Sequence, residues 1–391
     1  MTCDPARPGV ALIERGAMVV TDGLVEWAGA GADLTLRAAT SIDAGGRLVT
    51  PGLVDCHTHA IFAGDRANEF AMRAAGKPYL EIAAAGGGIA ATLVPTRAAT
   101  DDELVALLSG RLARMAAAGT TTVEVKSGYD LTVDGELRLL RCIRRAAATG
   151  APRVVPTLLA HLVPPERRAD RDAYVRELCE RLVPAAAAEQ LAASVDVYCD
   201  DGAFTLAEAR AIWTAAKQHG LAVRGHVGQF ADLGAAELLG ELSALSGDHL
   251  EQVSDAGIAA LARAGVVAVM LPGACVQLRL PVPPLDRLRA AGIAIAIASD
   301  LNPGSSYCET LPIQLWIATT HFAMTVDEAW LGVTRHGARA LGLAGPGTLV
   351  AGAPADFVIW DASDPAEIPY RYGTTLVREV YVAGRRVTPP T

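Results

Sequence analysis

From residue 120 onward, short apolar runs alternate with stretches of helical spacing. The runs are 120–126 (TTTVEVK), 154–161 (VVPTLLAH), 194–199 (SVDVYC), 221–226 (LAVRGH), 244–249 (ALSGDH), 266–271 (VVAVML) and 293–300 (IAIAIASD). Most are rich in β-branched residues, the composition of a strand buried on both faces. The intervening stretches, such as 101–118 and 206–218, carry helical apolar spacing and good helix formers. An eighth run, Leu53 and Val54, precedes the series behind a Pro51-Gly52 turn. Alternation of strand and helix predicts parallel βα units. Eight units predict an α/β fold, a closed (β/α)8 barrel of the TIM type, whose functional side chains gather at the C-terminal ends of the strands.

The two ends of the chain read differently. Runs 17–20 and 24–27 are split by Asp22-Gly23, a hairpin signal. After Leu343, GPGTLVAGAPADFVIWDAS and VREVYVAGRRV read as short strands with glycine-rich turns. These cannot continue a barrel. Residues 1–49 and 345–391 are therefore expected to pair in a small β-sandwich accessory domain, leaving 50–344 as the barrel domain.

Composition narrows the function. Hydrophobic residues make up 51% and charged residues 20%, a globular balance. Net charge is −9 and no Lys/Arg block occurs, which argues against nucleic acid as a partner. The nearest approach to a membrane span, 257–271, is interrupted by Arg263. The opening MTCDPARPGV lacks the basic-then-apolar pattern of a signal peptide. The seven cysteines show no Cys-x-x-Cys spacing and read as reduced thiols of a cytoplasmic protein. A symmetric homodimer is the expected assembly for a barrel of this size.

Histidine placement supplies the chemistry. Five of the eight histidines close predicted strands: His57 and His59 after the first, then His161, His226 and His249. Asp300 closes the eighth. Alternate residues of an extended strand project the same way, so His57 and His59 point together. With His226 and Asp300 they offer three imidazoles and a carboxylate, a set suited to Zn²⁺ or Fe²⁺. An ion held there acidifies a water to a pKa of about 7 and polarises a carbonyl. Blander readings exist: Asp300 could cap a following helix, and His226 could be a satisfied core histidine. His249 and Asp300 are both candidates for the general base, and the pattern does not apportion the role. His219, His321 and His336 fall in helical stretches and read as ordinary residues.

Pro-Gly-x-x-Asp-x-His-x-His, residues 51–59, resembles the opening signature of the metal-dependent amidohydrolase superfamily. Dinuclear members carry a carboxylated lysine at the end of strand four. Here that strand ends in Cys199-Asp200, so the resemblance implies one divalent metal per chain, Zn²⁺ or Fe²⁺/Fe³⁺. Six further motifs resemble the imidazolonepropionase family: FAGDRANEF, AAAGGGI, VEVKSGYDL, AHLVPPE, GDHLE and SDLNPGSS. They run in order from about Pro51 to Leu343, and the tail GTLVAGAPADFVIW also fits.

The resemblance implies hydrolysis of 4-imidazolone-5-propanoate to N-formimino-L-glutamate. It implies metal ligands at His57, His59, His226 and Asp300. It also implies substrate contacts at Arg66, Tyr129, His161, Gln229, Asn302, Gly304 and Ser305. A guanidinium matches the propanoate carboxylate in a two-point fork, and Tyr129 and His161 are expected to donate to ring atoms. Two departures stand out. Gln229 occupies a position where ammonia-releasing relatives carry Glu, and Gln shuttles no proton; ring opening survives this and ring deamination is weakened. Cys275-Val276-Gln277 is less aromatic than the family pattern. Another mononuclear amidohydrolase, acting on a different cyclic amide or aminated heterocycle, is the alternative. The glycine run 86–88 is not followed by Lys-Ser/Thr, so it is no phosphate loop; it is expected to be a mobile segment at the mouth.

Overall fold

The computed structural model describes residues 1–77, 87–148 and 150–387. The expectation for the glycine run falls partly outside them, since Gly86 is not among the described residues.

The chain opens with a hairpin of β1 (Gly16–Thr21) and β2 (Leu24–Ala30). Asp22 and Gly23 both adopt positive φ, 52° and 79°, as a two-residue hairpin turn requires. Next come β3 (Val49–Pro51) and β4 (Leu53–Asp55), separated only by Gly52. A Cβ at Gly52 would stand 2.1 Å from Thr121 Oγ1, so the close approach of the next strand demands glycine here.

The barrel strands follow: β5 (Thr120–Lys126), β6 (Arg153–Ala160), β7 (Ser194–Cys199), β8 (Ala222–Val227), β9 (Ser246–His249), β10 (Val267–Met270) and β11 (Ile295–Ile297). With β4 they form an eight-stranded sheet in sequence order, all neighbours parallel. Helices between the strands cover its outside. The helices Asp101–Ala117, Leu206–Gln218 and Val326–Gly332 each start at a capping box, Thr100/Glu103, Thr205/Glu208 and Thr325/Glu328.

β5 and β7 match their apolar runs, whereas β6, β10 and β11 stop short of theirs. β11 ends at Ile297, and Asp300 lies three residues beyond it. Past Ile297 the chain changes partner. Ala298 N–H still donates to Met270 O at 3.1 Å, but Asp300 N–H donates to His57 O at 3.1 Å. His59 N–H donates to Leu301 O at 2.8 Å, and Thr58 and Leu301 form a parallel bridge. The barrel is thus closed beyond the ends of β4 and β11. His161 likewise follows its strand by one residue, whereas His226 sits inside β8 and His249 ends β9.

The chain ends meet as expected. β12 (Phe357–Trp360), β13 (Val377–Val382) and β14 (Arg385–Arg386) join β3 in an antiparallel sheet of order β14-β13-β12-β3. The hairpin packs on it through Val25, Phe357, Ile359 and Tyr381. Because β3 runs almost directly into β4, this accessory sheet anchors the strand that leads to His57. Among the described residues, no helix is long and apolar enough to cross a membrane.

His336, in the helix Arg335–Ala340, donates from Nδ1 to Ile295 O at 3.0 Å and ties that helix to β11. Burial pushes its pKa down to about 4. An unfolded histidine takes a proton below about pH 6.5, which the folded one refuses. Stability from this group is therefore present above about pH 6.5 and lost as pH falls toward about 4. Urea unfolding at pH 7 and pH 4.5 should show a smaller acid loss in His336→Asn, by on the order of 1–2 kcal/mol. Equal losses in the two proteins would mean that His336 titrates normally.

Candidate metal centre

The end of the barrel where the strand C-termini lie gathers the sequence-predicted ligands. His57, His59 and His226 form a buried group whose ligand atoms all lie within 4.8 Å of one another. His59 Nε2 is 3.2 Å from His226 Nε2, and Asp300 Oδ1 is 3.5 Å from both His57 Nε2 and His59 Nε2. Ligands about 2.0–2.1 Å from a tetrahedral zinc stand roughly 3.3 Å apart, so the donor spacing fits such an ion. His57 Nε2 is buried with no hydrogen-bond partner, the state of a donor atom reserved for a metal. Burial also lowers His57 and His59 well below the usual imidazole range, leaving neutral lone pairs.

The ligands are held from behind. His57 Nδ1 meets Asp248 Oδ2 at 2.6 Å, and His226 Nδ1 meets Asp196 Oδ1 at 3.0 Å. A carboxylate on the far nitrogen fixes the tautomer and aims the other nitrogen at the ion. Burial would raise Asp196, but His226 and Lys126 outweigh it and hold this carboxylate ionised. Two buried cations complete the layer: Lys126 bonds Glu124 at 2.8 Å and Asp196 at 2.7 Å, and Arg224 bonds Asp248 at 2.9 Å. Formally, four carboxylates (Glu124, Asp196, Asp248, Asp300) face two cations. That surplus of negative charge favours a cation bound at the three imidazoles.

This layer was missed in the sequence reading. Its signal was available as charged residues inside otherwise apolar strands: Glu124 and Lys126 in TTTVEVK, Asp196 in SVDVYC, Arg224 in LAVRGH. A strand buried on both faces admits such residues only when they are paired.

His249 borders the group, its ring centroid 5.5 Å from that of His226. Its Nδ1 lies 3.7 Å from Glu251 Oε1, which leaves Nε2 for the site. Burial would lower its pKa; Glu251, Asp300 and Asp248 outweigh burial and raise it. His249, Leu250 and Asp300 hold positive φ of 79°, 69° and 49°. Strain of roughly 1–2 kcal/mol per non-glycine residue is concentrated at this end of the barrel.

The residues expected to contact substrate surround this group with several donors already engaged. Arg66 gives Nε and one Nη to Glu69, at 2.8 and 2.6 Å, so its second Nη and the remaining N–H of the first are what it can offer a ligand. That guanidinium lies against Gly304, where a Cβ would stand 2.3 Å from Nη1, so a larger residue there would push the Arg66 guanidinium aside. Gly88 N–H also bonds Glu69, at 2.9 Å. Asn302 Oδ1 accepts the N–H groups of Gly304 and Ser305 at 2.8 and 2.7 Å, so an anion at this turn must share or displace those bonds. His161 is pushed down to about 4 by burial, and its Nδ1 bonds Gly128 O at 2.9 Å. A neutral ring whose Nδ1 donates presents Nε2 as an acceptor, not the donor expected. Burial raises the Tyr129 phenol, which keeps its proton and can donate. Gln229 Oε1 accepts from Tyr198 Oη at 3.0 Å, which turns its amide NH₂ outward as a donor. Cys275 is buried among the core residues.

A parallel eight-stranded barrel with three imidazoles and a carboxylate converging at the C-terminal end of the barrel defines a hydrolase built around a metal-binding group. The model described as "Amidohydrolase family" matches residues 63–388. An imidazolonepropionase of Caulobacter vibrioides (strain NA1000 / CB15N) is 49% identical over 376 residues, covering 95% of this chain and 94% of that relative. The chain belongs to the amidohydrolase family and, within it, to the imidazolonepropionases. Among solved structures, 5-methylcytosine deaminase from Klebsiella pneumoniae, liganded with phosphonocytosine, superposes with a TM-score of 0.72 at 19% identity, covering 97% of this chain and 96% of that one. An adenosine deaminase from Xanthomonas campestris with bound Zn gives 0.68 at 20% identity, covering 97% and 89%. At these identities the likeness is one of fold.

Chelation should lower the melting temperature, and added zinc should restore it. At a free zinc concentration 100 times Kd the stabilisation is about 2.7 kcal/mol, several degrees for a chain of this length. Melting curves that ignore both chelator and zinc would rule out a folded-state metal site.

Proposed function

We propose that the protein hydrolyses 4-imidazolone-5-propanoate to N-formimino-L-glutamate, a step of histidine degradation. The observation that carries this reading is the convergence of three imidazole nitrogens and Asp300 beside an Arg66–Gly304 contact, in a chain 49% identical to an imidazolonepropionase. His57, His59, His226 and Asp300 would hold one metal ion per chain, Zn²⁺ or Fe²⁺/Fe³⁺. When bound, that ion acidifies a water and polarises the ring carbonyl.

The chain's own residues supply the rest. The propanoate carboxylate pairs with the free edge of the Arg66 guanidinium, near the Asn302–Gly304–Ser305 turn. Tyr129 donates to the ring, His161 accepts a ring N–H at Nε2, and the Gln229 amide donates from its NH₂, the edge away from Tyr198. Water adds to the ring carbonyl carbon, and the bond from that carbon to the ring nitrogen breaks. His249 or Asp300 takes the water's proton, and the departing nitrogen gains one. That nitrogen stays tethered through the amidine carbon, so no ammonia-releasing acid is required and Gln229 suffices. In this reading residues 50–344 are the hydrolase domain, and 1–49 with 345–391 the accessory domain. The enzyme works as a cytoplasmic homodimer with no nucleic-acid or membrane partner.

Freshly made imidazolone propanoate should lose its ultraviolet absorbance when the enzyme is added, with about one equivalent of metal per active chain. A need for two equivalents would sink the mononuclear reading. Arg66→Lys should raise KM roughly tenfold through lost bidentate geometry, and unchanged kinetics in Arg66→Ala would remove Arg66 from the substrate site. Metal-loaded His249→Ala should lose about 10²–10⁴ in kcat/KM, whereas Gln229→Glu should retain measurable turnover between pH 6 and 9. The reverse ranking would make Gln229 the catalytic centre.

A further inference from the structure

Glu124 touches none of the three imidazoles, yet a short chain of bonds leads from it to each. It is fully buried on β5. Its Oε1 accepts from Lys126 Nζ at 2.8 Å and from Arg224 Nη1 at 3.3 Å. The Lys126 arm continues at 2.7 Å to Asp196, which holds His226 Nδ1 at 3.0 Å. The Arg224 arm continues at 2.9 Å to Asp248, which holds His57 Nδ1 at 2.6 Å, and a second bond reaches Cys56 O at 2.7 Å. The third arm is direct. Glu124 Oε2 accepts the N–H of Thr58, the residue between His57 and His59, at 3.0 Å, while Thr58 Oγ1 returns a 2.6 Å bond to Glu124 O.

We propose that Glu124 is a positioning residue of the metal centre: through Lys126, Arg224 and the Thr58 peptide it sets the mutual spacing of His57, His59 and His226, and hence metal affinity. Buried ion pairs are poor sources of stability, because desolvation offsets their attraction and apolar replacements are often neutral. What this cluster contributes is direction. Each charge is spent on a ligating histidine, its carboxylate or its backbone. A carboxylate is needed at the centre because it accepts from three donors at once. Glutamine retains one accepting oxygen and places an NH₂ against a donor, so it loses the Thr58 arm or, turned the other way, both the Lys126 and Arg224 arms.

The test is zinc affinity of the stripped full-length protein, read by competition with a chromogenic chelator, with apo melting temperature and circular dichroism as folding controls. It rests on the reading of the three histidines as metal ligands; wild-type protein that binds no zinc refutes that reading rather than the role of Glu124. Glu124→Gln should weaken zinc binding about 10- to 100-fold, the range for lost outer partners of metal ligands, with turnover recovering as zinc is raised. The paired variant Glu124→Gln/Lys126→Met, which removes opposite charges together, should show a similar loss. Zinc affinity within about twofold of wild type in either folded variant overturns the proposal. Failure of both variants to fold, with zinc or without, also overturns it and makes Glu124 a core residue.

Discussion

Between β4 and β11 the barrel has no regular ladder, and the gap is spanned by three backbone donors: Asp300 N–H on His57 O, His59 N–H on Leu301 O, and Ser299 N–H on the buried Asp55 carboxylate at 3.0 Å. These bonds join the two segments that carry three of the four expected ligands. Closing the barrel and setting the ligand spacing are therefore one event. The positive φ of Asp300 is the local consequence, since the chain turns from β10 toward the His57 segment within three residues of the end of β11. Such a conformation persists where neighbouring bonds over-determine it.

Beneath the ligands the interior is charged rather than apolar. Four carboxylates against two cations in a space closed to water would be untenable as isolated ions. Continuous hydrogen bonding makes it tolerable, and a cation held where the imidazoles and Asp300 converge would offset the remaining negative charge. The same arrangement places demands on the sequence outside the site. Glycine is required at Gly52, where the accessory sheet hands the chain to β4, and at Gly304 its small size gives the Arg66 guanidinium the place it occupies.

The substrate side is governed by prior engagements. Glu69 takes one edge of Arg66, Asn302 Oδ1 accepts the N–H groups of its own turn, and Gly128 O accepts from His161 Nδ1. Each bond decides which donor or acceptor is left facing a ligand. Residue type alone could name these side chains as contacts but not say which edge they present. His161 illustrates the limit: a histidine can donate or accept, and the Gly128 carbonyl, 33 residues away, chooses.

The sequence by itself determined the eight βα units, the pairing of the chain ends, and the identity of His57, His59, His226 and Asp300 as the set to watch. These follow from local rules, namely strand alternation, helical spacing and the scarcity of histidine at strand ends, each read within a few consecutive residues. Tertiary structure alone decided where the strands stop, how the barrel closes, and that Glu124, Lys126, Asp196, Arg224 and Asp248 form one layer. Those residues come from four strands spread across 125 positions. A buried charge is stable only beside its partner, and which partner it meets depends on strand order and register, quantities that no local window of the chain contains.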